Sequence, residues 1–239
     1  QFWLTVHVPA NVSSGNYTGT ITVTANDRET RTLRLKLRVP DFDLRKPNFE
    51  YSIFYASEYH NDVMRTNEYE NMFSHGCTNP TFYRSVMLGP DGKTLDFAAF
   101  SKELDLREKV GMAAAGPLYL VSSGPINAGT IGLSAQELAQ LTCWVEQTVA
   151  WIRKRGYSDV YFMGADEATG ENLLKQRPTW EAIHEGGGKV LISNYGGFFP
   201  YVGDVVDLAV ITHPSGNPID TANTKSSSPD EFLAAVPTL

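Results

Sequence analysis

The chain has 239 residues, 42% of them hydrophobic and 20% charged, with a formal net charge of −7. That length can bury a large core in one or two domains, and the composition is that of an ordinary globular protein. An acidic chain without a Lys/Arg cluster lacks the basic patch that phosphate backbones require, and no apolar run approaches the ~20 residues of a membrane span, so neither a nucleic-acid partner nor a membrane span is expected.

The first 44 residues read as β-structure. Phe2, Leu4, Val6 and Val8 alternate with Trp3, Thr5 and His7, and the run stops at Pro9. Thr18 to Thr24 alternates again, Asn26-Asp27 supplies turn chemistry, and Leu33, Leu35, Leu37 and Val39 alternate with Arg34, Lys36 and Arg38. A period of two with one apolar face predicts three strands. Three strands cannot close a sandwich alone. The expectation for 1–44 is therefore the end of an antiparallel β-sandwich whose beginning is missing. Asn11-Val12-Ser13 and Asn16-Tyr17-Thr18 match the N-glycosylation pattern, which matters only in a secreted eukaryotic chain.

After the Pro40–Pro47 linker the grammar changes to alternating strands and helices. Strands are predicted over Phe49–Tyr55, Thr81–Met87, Leu118–Val121, Val160–Met163, Lys189–Ser193 and Leu208–Thr212. A helix is expected over Asp62–Ser74, closed by Gly76, and another after Asp96, carrying Phe97, Phe100 and Leu104 inward and ending near Gly111. Ser134 and Glu137 form a capping box before a helix whose stripe is Leu138, Leu141, Val145, Val149 and Ile152, stopping at Gly156. Pro178 is placed to open a helix with Trp180 and Ile183 inward, and a short helical piece is expected around Pro200–Val206.

Repeated β-then-α units indicate a parallel sheet. No GxGxxG or GxxxxGK[ST] motif supports a nucleotide fold, so the expectation for 45–239 is an α/β (β/α)8 TIM-type barrel with six of eight units present. The chain begins inside a strand pattern and ends inside a helix-like stretch, which reads as a segment of a longer protein. Cys77 and Cys143 lack CxxC spacing and read as free thiols, and no His falls at HxH or HExxH spacing, so neither a metal nor another cofactor is expected.

One stretch organises the rest. Val160–Gly164 is an apolar run that ends in Asp166-Glu167 and turns through Thr169-Gly170. In an α/β barrel the C-terminal ends of strands carry the catalytic groups. Glycoside cleavage needs an acid for the leaving oxygen and a group that attacks or stabilises the anomeric carbon. In the common retaining design the two carboxylates come from different strands. Neighbours on one strand point to opposite faces, so an adjacent pair suits a substrate-assisted design instead. There the substrate's 2-acetamido oxygen is the nucleophile, one carboxylate holds the acetamide N–H, and the other is acid and base. This works only if the strand ends at the dipeptide and turns both groups into the mouth. The alternative is a strand end followed by a solvated turn.

The segments Gln1–Pro9 (QFWLTVHVP), Gly15–Ile21 (GNYTGTI), His75–Pro80 (HGCTNP) and Gly164–Glu167 (GADE) together resemble glycoside hydrolase family 123 and its relatives. The resemblance spans most of the chain. It implies a β-N-acetylgalactosaminidase with an N-terminal β-sandwich and a (β/α)8 barrel. It further implies Asp166 as the residue that orients the acetamide, Glu167 as the general acid/base, a glycan or glycoconjugate substrate, and a secreted, periplasmic or envelope location. Four further residues stand at strand ends where sugar contacts would lie. Tyr195 is placed to reach the acetamide oxygen, Asn194 and His213 to meet sugar hydroxyls, and Tyr55 to face the same mouth. Each has a packed or loop residue as its other reading. β-N-acetylglucosamine as substrate, and a non-catalytic carbohydrate-binding protein with a degenerate barrel, remain open alternatives, as does the oligomeric state.

Overall fold

A computed structural model describes residues 3–26, 28–43, 49–57, 60–112, 116–121, 124–194 and 198–211. The chain divides into two compact units, Gln1–Phe49 and Glu50–Leu239.

In the first unit, β1 (Gly15–Ala25) and β2 (Arg28–Val39) form an antiparallel hairpin, with Asn26 and Asp27 between them. The register runs from Gly15↔Val39 to Val23↔Arg31 and slips by a bulge before Ala25↔Arg28. Pairing Tyr17 with Leu37 and Ile21 with Leu33 puts the apolar residues on one face, while Thr18, Thr20 and Thr22 share the other with Lys36, Arg34 and Thr32. Over its described residues the strand expected for Phe2–Val8 is not formed: residues 3–9 carry no ladder. Alternation shows only that a segment could share a sheet; a strand also needs a partner for its N–H and C=O groups, and that partner is non-local.

The second unit begins with an extended segment and α1 (Asp62–Ser74). Asn61 caps α1 by accepting the Met64 N–H (3.0 Å). At its other end Gly76, at φ 88°, donates to Phe73 O while Cys77 N–H reaches back to Met72 O. This pairing satisfies carbonyls that the helix end would otherwise orphan. A short antiparallel pair follows, β3 (Met87–Leu88) and β4 (Leu95–Asp96), its turn held by Asp91, which accepts from the N–H groups of Lys93 and Thr94. Asp96 then accepts the Ala98 N–H at the start of α2 (Ala98–Lys109).

The framework is a parallel sheet of β5 (Leu118–Leu120), β6 (Val160–Met163), β7 (Lys189–Asn194) and β8 (Leu208–Ile211), in that spatial order. α3 (Ala135–Lys154) connects β5 to β6, α4 (Glu171–Glu185) connects β6 to β7, and α5 (Phe199–Val202) precedes β8. The Ser134–Glu137 capping box opens α3 as expected.

The strands expected over Phe49–Tyr55 and Thr81–Met87 are reduced to single parallel bridges, Tyr51↔Cys77 and Phe82↔Leu120. The cause is local. Thr81 N–H bonds to Ile53 O (2.9 Å), but the Tyr55 N–H is taken by the Thr81 hydroxyl (3.0 Å) instead of by a backbone carbonyl, which interrupts the ladder. Phe82 still pairs beside β5 through Tyr119 O and the Val121 N–H.

One face of the sheet is apolar and covered. Leu118, Leu120, Val160, Phe162, Val190 and Ile192 form one core with Phe100 and Leu104 of α2, the stripe Leu141, Val145, Val149 and Ile152 of α3, and Trp180 and Ile183 of α4. Alternation along the strands sends Tyr119, Tyr161, Lys189 and Leu191 to the opposite face. There Glu50, Ile53, Thr81, Tyr119, Leu191 and Leu208 help to line a cavity of about 400 Å³.

Pro178 does not open α4; it lies inside it. The helix starts seven residues earlier, after Gly170, because the buried stripe already begins at Leu173 and continues through Gln176, Thr179, Trp180 and Ile183. A proline inside a helix costs ~3 kcal/mol. Burial of that stripe outweighs it, and Leu174, four residues before the proline, is exposed.

Candidate functional site at the end of β6

β6 ends at Met163, and the chain stays beside β7 for four more residues. Gly164 N–H donates to Leu191 O (2.9 Å) and Glu167 N–H donates to Ser193 O (3.0 Å). Between them the Ala165 N–H would be orphaned; it donates to Oε1 of Gln176 (2.8 Å), a side chain 2% exposed on α4. The other end of that amide donates to Asn172 O (3.1 Å). Beyond the dipeptide, Nδ2 of Asn194, also 2% exposed, donates to Ala168 O (2.5 Å).

These anchors hold an unusual backbone. Glu167 has φ 55°, and among the described residues it is the only non-glycine with positive φ. The left-handed region costs an L-residue roughly 1–2 kcal/mol. Glu167 sits in a turn beyond β6, where strand alternation no longer relates Asp166 to Glu167. Both residues are exposed in the turn at the C-terminal end of the parallel sheet. The dipeptide is therefore not the end of the strand itself. It lies beyond β6, in a turn that removes the geometric objection to neighbouring carboxylates.

The turn is supported from behind by the loop after β5. A Cβ on Gly129 would stand 2.9 Å from the Ala165 nitrogen, so only glycine permits this approach. α4 secures the same loop: the Trp180 indole N–H donates to Ala128 O (2.8 Å) and the Thr179 hydroxyl to Thr130 O (2.6 Å). One helix thus fixes the carboxylate turn, through Gln176, and the loop that backs it.

The structure brings Asn194 to this turn, where its side chain bonds the backbone. Tyr55 has side-chain partners of its own. Its hydroxyl donates to Glu68, which also bonds Nδ1 of His60 (2.8 Å), and its ring meets Tyr69 edge-on at 5.2 Å. Burial, then the hydrogen bond to Glu68, push the Tyr55 phenol above its ordinary range. Tyr195 and His213 lie outside the described residues. His75 caps α1, and Asn79 is a buried connector, donating to Pro117 O and accepting from Arg107.

Gln176 and Gly129 were not singled out by the sequence. A signal for Gln176 was present: a polar residue on the apolar stripe of Leu173, Trp180 and Ile183, where burial demands a hydrogen-bond partner. Nothing local marks Gly129.

Among the described residues no group of three His, Cys, Asp or Glu side chains could hold a metal ion, and no helix is long and apolar enough to cross a membrane. Cys77 and Cys143 are free thiols, the first buried and the second exposed. No protein-family model matches the chain, and no curated protein shows a significant match to it.

Proposed function

We propose that this chain carries the catalytic site of a retaining glycoside hydrolase releasing terminal β-linked N-acetylgalactosamine, with the substrate's own acetamide as nucleophile. The observation that carries the reading is the turn around left-handed Glu167, in which two adjacent carboxylates are exposed just beyond the C-terminal end of a parallel strand. Asp166 accepts the acetamide N–H and turns the acetamide oxygen toward the anomeric carbon. That oxygen bonds to the carbon as the glycosidic bond breaks, and Glu167 delivers a proton to the leaving oxygen. The oxazolinium ion is then opened by water, which gives its proton to Glu167. The two inversions together retain configuration.

The strand order supports a barrel as the framework. A doubly wound sheet reverses its order at a switch point and carries helices on both faces. Here β5 to β8 follow chain order, the Phe82 and Tyr51 bridges extend that order in the same direction, and α2, α3 and α4 contribute to one core. In a closed (β/α)8 barrel the opposite face is the interior, filled by layers of side chains; the 400 Å³ cavity lies on that side.

The test is release of p-nitrophenol from its β-N-acetylgalactosaminide and β-N-acetylglucosaminide, with Glu167→Gln as control. Turnover of the first by the wild type, together with loss of nearly all turnover of unactivated β-N-acetylgalactosaminides in the variant, supports the reading. Preferential turnover of the second reassigns the sugar and keeps the mechanism. No turnover of either by the complete protein removes the catalytic reading in favour of carbohydrate binding. A thiazoline mimic of the intermediate should inhibit strongly; failure to inhibit at high concentration would argue against substrate assistance.

A further inference from the structure

We infer that Gln176 and Asn194 are positioning residues that hold Glu167 in its left-handed conformation. As an assignment to catalysis, this rests on the glycosidase reading above. The observations are geometric. The turn from Ala165 to Ala168 contains the only left-handed non-glycine residue among those described, and a buried amide side chain binds the backbone on each side of it.

Gln176 accepts the N–H two residues before Glu167, and Asn194 donates to the carbonyl one residue after it. The two amides come from different elements, α4 and β7, and each is 2% exposed. A buried amide is costly unless its polar ends are bonded. Each therefore fixes its partner as firmly as it is itself fixed. Between them Glu167 N–H is held by Ser193 O. A left-handed residue persists only when its surroundings over-determine it. Released from these bonds, Glu167 would return to the right-handed or extended region, and that change of backbone would reorient its carboxylate relative to that of Asp166.

The clamp makes two separate predictions. The first does not depend on catalysis. Glu167→Gly removes the conformational cost at that position and should raise Tm by roughly 1–3 °C, the gain net of glycine's greater unfolded-state freedom. In Gln176→Met or Asn194→Leu, where Glu167 is free to relax, the same substitution should give no gain. An equal gain in all three backgrounds would overturn the clamp.

The second prediction is kinetic. Gln176→Met should lower kcat about 100-fold, the usual consequence of a displacement near 1 Å, with KM changed less than about threefold. Gln176→Glu, neutral at so buried a position, keeps an acceptor for the Ala165 N–H and an O–H donor for Asn172 O, and should recover most of that loss. A merely structural role predicts that both variants follow their stabilities, with no rescue by Glu; that result would overturn the positioning role. If the wild-type protein cleaves neither p-nitrophenyl glycoside, the glycosidase reading fails, and the thermal comparison alone decides whether the clamp exists.

Discussion

Removing the Glu103 carboxylate should be among the most damaging single changes outside the main core. Glu103 lies on α2 with 1% exposure, and it gathers groups from two other segments. It accepts from Nη1 of Arg65 and from the Tyr69 hydroxyl, both on α1, and Nε of Arg84 stands 3.5 Å away. Arg65 is 6% exposed and Tyr69 1%. In Glu103→Leu, Arg65 keeps Asp62, whose side chain is 45% exposed, and the Tyr69 hydroxyl loses its acceptor. Each buried donor left unbonded costs roughly 1–3 kcal/mol, and breaking one side of a buried ion pair costs about 3–5 kcal/mol in all. For a unit of this size that is a fall in Tm of roughly 6–20 °C. Urea unfolding followed by tryptophan fluorescence and far-ultraviolet circular dichroism measures it, as a lower midpoint at unchanged slope. The reasoning also requires strong non-additivity. In the triple variant Arg65→Met, Tyr69→Phe, Glu103→Leu the ion pair and the Tyr69 hydroxyl are removed together, and the buried hydroxyl that loses its Tyr69 bond is the small one of Ser57, so much of the loss should return. A Glu103→Leu cost below about 1 kcal/mol, or a triple variant less stable than the single one, would refute the account.

Three further outcomes are expected. Trp180→Phe removes the indole donor to Ala128 O and leaves space in the core, so it should cost about 2–4 kcal/mol by the same unfolding assay, and a loss under 1 kcal/mol would mean the bond contributes little. Pro178→Ala restores a helical N–H facing Leu174 O and should stabilise by roughly 1–2 kcal/mol, part of the ~3 kcal/mol penalty being returned by greater unfolded-state freedom; destabilisation would show that the ring packs usefully. The third concerns the pair at the end of α4, where Nε2 of His184 meets Oδ2 of Asp207 (2.8 Å), which also accepts the Val190 N–H (2.7 Å). The hydrogen bond to Asp207 raises the His184 pKa against the opposing effect of burial. Burial pushes the Asp207 carboxyl up, but the bonds from His184 and Val190 outweigh it and hold it below the ordinary range. The histidine contribution is therefore complete below its unfolded pKa and is lost as pH rises through the folded value. The aspartate contribution is present above its unfolded pKa and is lost as pH falls through the folded value. Their joint contribution, up to about 1 kcal/mol for so accessible a pair, should peak between pH ~4 and ~6.5. Thermal melts of wild type and His184→Gln across pH 4–9 check this, and a difference that does not narrow at alkaline pH would contradict it.

What the sequence determined by itself was local. The capping box at Ser134, the glycines after α1 and α2, and the stripe of α3 each follow from hydrogen-bond needs within a few residues, and these elements stand where the pattern placed them. The apolar runs of β1, β2 and β5 to β8 were legible as patterns, although each ladder depends on another segment. Two other runs had the pattern without the full ladder. Phe2–Val8 has the alternation of a strand without a ladder over its described residues, and Phe49–Tyr55 is interrupted by a hydroxyl from Thr81, 26 residues beyond Tyr55 in the chain. Pro178 misled because local propensity favours a helix start, whereas burial of a stripe beginning at Leu173 fixes the actual one. The same division runs through the candidate site. The pairing of Asp166 with Glu167 at the end of an apolar run is visible in the chain. The turn that holds them is seen only in the tertiary structure, secured from α4 by Gln176 and from β7 by Ser193 and Asn194. A backbone conformation that costs energy locally has no local signature, because the groups that stabilise it meet only when the helix and the sheet have packed.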